Sequence, residues 1–508
     1  MAKHLAQVSH DLGRQVGVLL TRHGSVRNVI VGDAFQLEIP EIGRLRGGTG
    51  RFRGLRLVHT HLRNEPLSAD DLNDLALLRL DLVAVVQVTK EGLPGRLELS
   101  HVLPGTDSGE EPFRRLEAAQ VNELDFDFRT SIGALESEFR RLARRGAGKV
   151  DQERAILIGV SKDRGHFDET VELARSAGVG VMAEIWKAQK LKPKTILGKG
   201  KLQSVILESM RQQADVAIFD VDLRPAQARA FEDMTGLKVI DRTQLILDIF
   251  AQRARSRDGK LQVELAQLRY SLPRLTEQDA GLSRLTGGIG GRGPGETVLE
   301  IGRRRARDRI RSLEKQVEKL SRQRNVRRTR RRRQGLPVLS IVGYTNAGKS
   351  TLLNALTESD VRAADQLFMT LDPTSRRLRF PHRGEVIITD TVGFISDLPV
   401  DLKAAFRATL EELGESDLLL QVVDASDSRL DFQIRAVESI LEELKLLNQP
   451  RLLVLNKIDR VDEPTQQALI RRYGGVPVSA TLRSGLERLC SESEEMLRQC
   501  GIVLERCV

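Results

Sequence analysis

Apolar positions in the middle of the chain recur in two alternating patterns. Short runs of consecutive apolar residues are typical of buried strands, and longer runs with apolar positions three or four apart are typical of helices. Strands are predicted at 154–160, 180–186, 214–220 and 237–240. Helices are predicted at 170–177, 202–212, 225–235 and 244–254. Because strands that alternate with helices usually pair in parallel, this region predicts a small parallel sheet.

A less regular pattern precedes this region. Apolar runs predict strands at 16–20, 26–31 and 82–88, and a helix at 67–80. We therefore expect residues 1–125 to form an additional small α/β domain, followed by a helical linker over 126–150.

Beyond residue 258 the pattern is helical, with one interruption. Residues 287–297 contain six glycines and a proline, which cannot form a stable helix. A long helix is predicted from there to about Arg333. This arrangement predicts an antiparallel helical hairpin with a glycine-rich tip, where Arg292 could contact RNA. The alternative is a flexible linker.

Charge is concentrated in the second of these helices. Residues 303–333 hold sixteen Lys/Arg and three acidic residues, whereas the whole chain has a net charge of +10. Such a run is often only a solvated face, but this density favours a polyanionic partner. Aromatic residues make up 4% of the chain, so phosphate contact with structured RNA is expected rather than base stacking.

Composition also limits the cellular setting. The chain has no apolar run of eighteen residues and no apolar secretory segment, so we expect a cytoplasmic protein without a membrane span. Cys490, Cys500 and Cys507 lack metal-binding spacing and are interpreted as packing residues or free thiols.

A phosphate-binding loop follows the next predicted strand. The pattern G-x-x-x-x-G-K-S lies between the apolar run 338–342 and a predicted helix at 351–356. Its residues are Gly343, Tyr344, Thr345, Asn346, Ala347, Gly348, Lys349 and Ser350. Backbone N–H groups in such a loop face phosphates, Lys349 would reach the β- and γ-phosphates, and the Ser350 hydroxyl would bind Mg²⁺.

Three further motifs follow the loop in the order typical of GTPases. A D-x-x-G motif ends one predicted strand, an N-K-x-D motif ends another, and a third segment is placed to contact guanine O6. Their residues are Asp390, Thr391, Val392, Gly393; Asn456, Lys457, Ile458, Asp459; and Ser479, Ala480, Thr481. The Asp459 carboxylate can accept hydrogen bonds from guanine, and adenine would leave it unpaired. Residues 338–500 are therefore predicted to form a GTPase domain.

Two positions bear on catalysis. Thr370 lies where a switch threonine would bind Mg²⁺. Phe394 follows the D-x-x-G motif, where small signalling GTPases place a water-orienting glutamine, and a phenyl ring cannot hydrogen-bond water. Slow intrinsic hydrolysis is expected, with Asn346 as a candidate ligand for a K⁺ ion that would stabilise transition-state charge. The alternative role for Asn346 is a hydrogen bond to the switch backbone.

A pattern in the N-terminal region resembles the zinc motif of JAMM-type metallopeptidases. His59, His61, Ser68 and Asp71 follow the H-x-H…S-x-x-D order, with one residue fewer between His61 and Ser68. In that family two His and an Asp bind zinc. The family's catalytic glutamate would fall near Gln15, which cannot act as a base. We therefore expect a related, catalytically inactive domain.

Taken together, the motifs of residues 154–500 resemble the HflX family of GTPases. The matching stretches are 241–243, 248–254, 260–268, the glycine loop through 295–297, 343–350, 368–374 and 390–395. The resemblance implies a cytoplasmic GTPase that binds GTP and GDP, uses Mg²⁺, associates with rRNA of the 50S ribosomal subunit, and splits or rescues ribosomes under stress. It also adds Phe368, Met369, Thr370, Leu371 and Asp372 to the expected GTP-binding residues.

The predicted architecture is α/β. A P-loop GTPase domain follows a small parallel α/β domain with a helical hairpin, and an extra α/β domain comes first. The expected boundaries are 1–125, 126–150, 151–257, 258–335 and 336–508. We expect a monomer. Two alternatives are an rRNA-binding assembly scaffold that uses nucleotide only as a folding ligand, and a peptidase regulated by the GTPase.

Overall fold

The structure is a computed structural model with two compact units, Met1–Arg242 and Thr243–Val508. It describes residues 1–40, 52–104, 112–146, 153–188, 196–212, 214–277, 298–332, 336–357, 374–380, 384–391, 393–395, 402 and 411–502. Within these ranges, no helix is long and apolar enough to cross a membrane.

The first sheet in the described chain has six strands in the spatial order β2-β1-β3-β4-β5-β6. The strands are β1 Val16–Thr21, β2 Val26–Val31, β3 Leu55–His61, β4 Leu82–Val88, β5 Pro94–Val102 and β6 Phe113–Ala118. Only β3 and β4 pair in parallel among them, and the other pairs are antiparallel. The predicted strands at β1, β2 and β4 are confirmed, whereas β3, β5 and β6 were not predicted.

Three helices accompany this sheet in the described residues: α1 Ala2–Leu12, α2 Ala69–Leu77 and α3 Phe128–Gly146. The parallel β3–β4 connection runs through α2, as parallel pairing requires a crossover. The helix predicted at 126–150 is present as α3, and its Ile132, Leu135 and Phe139 are buried. The Phe139 ring meets Phe52 edge-on at 5.6 Å between centroids. The apolar face of α3 is therefore part of the core.

The second sheet is parallel, with the order β10-β9-β7-β8. Its strands and helices are β7 Arg154–Gly159, α4 Arg164–Ser176, β8 Gly180–Trp186, α5 Lys199–Gln212, β9 Val216–Phe219, α6 Pro225–Thr235, β10 Lys238–Ile240 and α7 Arg242–Arg253. The alternating elements predicted from the apolar pattern are confirmed. Near-continuous burial of β7 and β9 explains why their sequences lack period-two alternation.

Two long helices follow, α8 Arg257–Glu277 and α9 Val298–Arg332. They pack side by side through ion pairs from Arg269 to Glu314 at 2.7 Å and from Arg309 to Glu264 at 2.7 Å. The predicted pair of helices is therefore present. The glycine-rich loop at 287–297, with Arg292, lies outside the described residues.

The third sheet has six strands in the described segments, ordered β12-β13-β11-β14-β15-β16. Its elements are β11 Val338–Gly343, α10 Lys349–Thr357, β12 Thr374–Arg379, β13 Glu385–Asp390, β14 Leu418–Asp424, α11 Leu430–Glu443, β15 Arg451–Asn456, α12 Glu463–Tyr473, β16 Val476–Pro477 and α13 Leu486–Gln499. Only β12 joins antiparallel in this sheet. This is the α/β fold expected for the GTPase domain.

Candidate nucleotide-binding site

The predicted motifs meet at one edge of the third sheet. β11 ends at Gly343, β13 at Asp390 and β15 at Asn456. Strand register aligns Ile341 with Asp390 on one side of β11 and Gly343 with Val422 on the other. Because these strands are parallel, their carboxyl ends lie together, where open α/β sheets bind ligands.

Two glycines are required by the path of the phosphate-binding loop. Gly343 has φ +155°, and a Cβ there would lie 2.2 Å from the Val422 carbonyl oxygen. Gly348 has φ +87°, and a Cβ would lie 2.3 Å from Nδ2 of Asn456. Either substitution would force backbone or a buried side chain to shift. The close approach of the loop to β14 and β15 therefore depends on glycine.

Lys349 begins α10 and is buried beneath the loop. Its Nζ donates a hydrogen bond to the Tyr344 carbonyl oxygen at 2.6 Å. Burial lowers the pKa of Lys349 to about 8, and the nearby Asp390 carboxylate opposes part of that shift. An ammonium group with so little solvation gains electrostatic stabilisation from an anionic phosphate.

Ser350 and Asp390 form the oxygen pair expected of a Mg²⁺ site. The Ser350 hydroxyl donates to Oδ2 of Asp390 at 2.7 Å. A hydroxyl from the first turn of α10 and a carboxylate from the end of β13, at hydrogen-bond distance, provide two hard oxygen donors. The residues present therefore fit the ion. Thr370, the other predicted ligand, lies outside the described residues, as do Phe368, Met369, Leu371 and Asp372.

The D-x-x-G segment is attached to the loop by backbone pairing. The Thr345 amide donates to the Phe394 carbonyl oxygen at 2.7 Å, and the Phe394 amide donates to the Gly343 carbonyl oxygen at 3.1 Å. A Cβ on Gly393 would lie 2.9 Å from Cγ2 of Thr345. The Phe394 side chain is also buried, which is a second reason why its ring cannot position water. Val392 lies outside the described residues.

Asn456 connects the guanine-reading segments to the phosphate loop. Its Nδ2 donates to the Ala347 carbonyl oxygen at 2.8 Å, and its Oδ1 accepts from the Ala480 amide at 3.1 Å. Buried amides need both kinds of partner, and Asn456 obtains them from two separate motifs. The motif asparagine therefore holds the site together, a role that the pattern alone did not reveal.

The remaining guanine-reading residues are arranged around it. Lys457 has a left-handed backbone, φ 58°, and its Nζ lies 2.8 Å from Oδ2 of Asp424. Ile458 is buried, whereas Asp459, the predicted guanine-reading residue, is exposed. Asp424 was not among the predicted residues. Its place at the end of the apolar run 418–424 was the available signal, because the other motifs also follow strand ends.

The third guanine segment adjoins this cluster. Ser479 is buried, exchanges backbone hydrogen bonds with Ser484, and accepts from the Leu482 amide at 3.1 Å through its hydroxyl. These contacts fix the turn so that the Ala480 amide reaches Asn456, and Thr481 is exposed beyond it. Asn346 is also exposed, with a left-handed backbone at φ 61°. The structure thus brings together all predicted motifs that fall within the described residues.

Three sequence families match successive segments of the chain. Residues 164–251 match "GTP-binding GTPase N-terminal", 253–331 match "GTP-binding GTPase Middle Region", and 338–457 match "50S ribosome-binding GTPase". These segments begin at α4, after the first strand of the parallel sheet, and end at Lys457, within the N-K-x-D motif.

Individual relatives cover a similar part of the chain. The protein named GTPase HflX from Caldanaerobacter subterraneus subsp. tengcongensis is 47% identical over 358 residues, which are 70% of this chain and 83% of that protein. GTPase HflX from Escherichia coli is 48% identical over 316 residues, covering 61% of this chain and 74% of its own. A solved GTP-binding protein from Sulfolobus solfataricus in complex with GDP is 26% identical, with a TM-score of 0.40 over 68% of this chain and 99% of that chain.

Proposed function

Because the chain belongs to the HflX family of GTPases, we propose that this GTP-hydrolysing protein acts on the 50S ribosomal subunit and splits or rescues ribosomes under stress. The observation that carries the proposal is the joining, in one compact unit, of a nucleotide site and the strongly basic helix α9. The GTPase segment also matches a family described as 50S ribosome-binding.

The roles of the site residues follow from their chemistry. Loop amides and Lys349 bind the phosphates, and the exposed Asp459 carboxylate accepts from the guanine edge. Asn456 transmits the position of the guanine segment to the loop through its bond to the Ala347 carbonyl oxygen. The Lys457–Asp424 ion pair orients the lysine stem beside the base position. Phosphoryl transfer depends mainly on such positioning and on electrostatic stabilisation.

Ser350 and Asp390 are proposed to hold Mg²⁺, with Thr370 as a further ligand. The ion supplies positive charge to the phosphate oxygens when bound. Asp390 reaches the site as the last residue of β13, and its contact with the Ser350 hydroxyl brings the two donors together.

Hydrolysis also requires a positioned water molecule. Phe394 offers no hydrogen bond to water, and its backbone is engaged with Gly343 and Thr345. We therefore assign water positioning to the Thr370 backbone, another switch residue or the ribosome itself. This arrangement makes the isolated protein a slow enzyme and gives the ribosome control over its rate.

The ribosome contact is assigned to phosphate recognition. Sixteen Lys/Arg against three acids in residues 303–333 match the chemistry of an rRNA backbone, and contacts of this kind depend strongly on salt. The protein would act in the cytoplasm, where ribosomes are, as a monomer. The alternative function is an rRNA-binding assembly scaffold, which the same basic helix would also serve.

Sedimentation of ribosomes with the purified protein tests the proposal. Intact 70S ribosomes are incubated with protein plus GTP, GDP or a non-hydrolysable GTP analogue, and then separated on a density gradient. We expect the protein to comigrate with 50S subunits in the analogue sample, together with a decreased 70S peak. The Asp459→Asn variant at the same GTP concentration is the matched control, because its nucleotide occupancy should fall while α9 is unchanged.

The outcomes separate the two functions. A splitting factor binds and splits only with GTP or the analogue, and it turns over GTP in steady state. A scaffold binds 50S subunits equally with every nucleotide and leaves the 70S peak intact. Absence of cosedimentation under all three conditions would contradict both assignments.

A further inference from the structure

A compact group of potential metal ligands lies in the N-terminal sheet, away from the nucleotide site. His59 and His61 alternate along β3 and therefore point to the same face of the sheet. Asp71 lies in the first turn of α2, where a reciprocal capping box with Ser68 fixes its side chain. One ligand atom from each of the three residues lies within 4.8 Å of the others.

The distances within this group are short. Nε2 of His59 lies 3.2 Å from Oδ1 of Asp71, and Nε2 of His61 lies 3.6 Å from Oδ2. The two imidazole rings are edge-on, with centroids 4.9 Å apart. All three side chains are almost excluded from solvent, with His59 1% exposed. Nitrogen and oxygen donors therefore converge on one point inside the domain.

The tautomer of His61 is determined by a second contact. Its Nδ1 lies 3.1 Å from the Glu65 carbonyl oxygen, which can only accept, so Nδ1 carries the proton. In the neutral ring, Nε2 then presents a lone pair towards the Asp71 carboxylate. Two lone pairs facing each other repel unless a cation lies between them. Metal-binding histidines commonly have this carbonyl contact on the other nitrogen.

His59 provides an independent indication. Its Nδ1 makes no hydrogen bond among the residues that the structure describes, and its Nε2 faces Oδ1 of Asp71 at 3.2 Å. A buried imidazole with an unpartnered nitrogen is costly, and such groups call for an explanation in a native structure. A metal ion would satisfy the ring nitrogen that faces the cluster.

We propose that His59, His61 and Asp71 bind one Zn²⁺ ion in the N-terminal domain. Two imidazole nitrogens and one carboxylate oxygen form a donor set typical of zinc, with a fourth position left for water. Gln15 is buried and, by continuation of the Gly17–His59 register, lies on the same face beside His61. Its amide can hydrogen-bond a zinc-bound water but cannot act as a base.

The site is therefore assigned a structural role. Glu98 is another buried carboxylate on this face, and its Oε2 already accepts from the Leu67 amide at 2.9 Å. The ion would join β3 to α2, and α2 packs against α5 of the parallel sheet. Just beyond α2, Arg79 donates to the Thr235 carbonyl oxygen at 3.0 Å. Zinc would thus stabilise the contact between the first two sheets.

Zinc binding by the full-length protein tests this proposal. Purified protein is stripped with a chelator, reloaded with Zn²⁺, desalted and analysed for metal by mass spectrometry, and its affinity is measured by competition with a chromogenic chelator. We expect about one ion per wild-type chain and an affinity at least about 100-fold lower in His61→Gln and Asp71→Asn, since each removes a ligand. Asp71→Asn retains an oxygen for the capping contact with Ser68, so folding is preserved.

The matched control is His101→Gln, which removes another buried histidine of the same sheet that is outside the cluster. This variant should bind zinc like the wild type. Co²⁺ should give the visible spectrum of a tetrahedral site in wild type and control, and lose it in the two ligand variants. Circular dichroism verifies that all proteins are folded.

Two results would overturn the assignment: less than about a tenth of an ion per wild-type chain, or equal zinc binding by wild type and both ligand variants. The readout is independent of GTP hydrolysis and ribosome binding, so it stands or falls separately from the proposed function.

Discussion

At the scale of single residues, the nucleotide site is organised by side chains that contact one another. Asn456 links Ala347 to Ala480, and Lys457 pairs with Asp424. Asp459 differs from these residues because it is exposed, and we expect its carboxylate to contact the guanine base. Substitutions in the network should therefore disturb the whole site, whereas substitution of Asp459 should affect base recognition alone.

Asp459→Asn should weaken GTP binding by about 2–3 kcal/mol, the loss of charge-assisted hydrogen bonds to guanine. An amide can pair with a xanthine oxygen, so the variant should prefer xanthosine triphosphate. Calorimetric titration with both nucleotides measures the change. Asp462→Asn, an exposed aspartate three residues on, is the control and should bind GTP normally. Unchanged GTP affinity in Asp459→Asn would show that the motif is misassigned.

Lys349 should make GTP binding depend on pH. Its pKa is lowered to about 8 in the free protein, and a bound phosphate would raise it. Above pH 8 the free protein loses this proton before the complex does, so affinity should fall by up to about tenfold per pH unit. Binding of a GTP analogue at pH 7.0, 8.0 and 9.0 measures the slope. Lys349→Met should bind weakly with a smaller slope, and identical slopes would contradict the assignment.

The same lysine should influence folding stability in the free protein. Because its pKa is lower in the folded state than the ordinary value of 10.5, the unfolded chain binds more protons between these limits. The contribution of Lys349 to the free energy of unfolding should therefore rise as pH increases from about 8 to 10.5. In denaturant melts across this range, the free energy of unfolding of the wild type should rise relative to that of Lys349→Met.

Asn346 is proposed as a ligand for a monovalent cation that takes part in catalysis. Its side chain is exposed at the loop, and its left-handed backbone suits asparagine. With Phe394 in place of a glutamine, K⁺ held by the amide oxygen would supply transition-state charge. We expect faster GTP hydrolysis in K⁺ than in Na⁺ at equal ionic strength, and no difference in Asn346→Ala. Equal rates in both salts for the wild type would leave Asn346 a structural role.

At the scale of secondary-structure elements, we expect α9 to have two functions. One part of it packs against α8, and its basic run binds a polyanion. Ion pairs at Arg269 and Arg309 attach α9 to α8. The basic run continues beyond these contacts to the end of α9, and its charge greatly exceeds what pairing with α8 requires. From this charge alone, we expect the basic run to bind a polyanion.

Replacement of Arg327, Arg328, Arg330 and Arg331 by Gln should weaken ribosome binding and flatten its dependence on salt. Each lost phosphate contact decreases the slope of log affinity against log salt by about one. GTP affinity should change little, because the run precedes β11. Filter binding of 50S subunits across a salt series measures both quantities. A variant with Arg309→Gln alone, which removes one positive charge and the contact to Glu264, is the control and should change the slope by at most about one.

At the scale of the whole molecule, hydrolysis and ribosome contact are expected to be coupled. The phosphate-binding loop and the D-x-x-G segment are joined by the Thr345 and Phe394 backbone hydrogen bonds, yet the Phe394 side chain cannot hydrogen-bond water. Purified protein should therefore hydrolyse GTP slowly, and added 50S subunits should increase the rate at least about tenfold. A rapid rate that is unaffected by subunits would contradict this coupling.

The sequence by itself determined the GTPase fold class, the alternating elements of 154–254, the nucleotide motifs and the basic helix. These features depend on local spacing: apolar periodicity, glycines at fixed offsets, and polar residues directly after apolar runs. Only the tertiary structure decided which distant residues meet. Asp424 reaches Lys457, and Asn456 reaches both Ala347 and Ala480. Such contacts join separate elements through strand register and helix packing, which no short segment of sequence encodes.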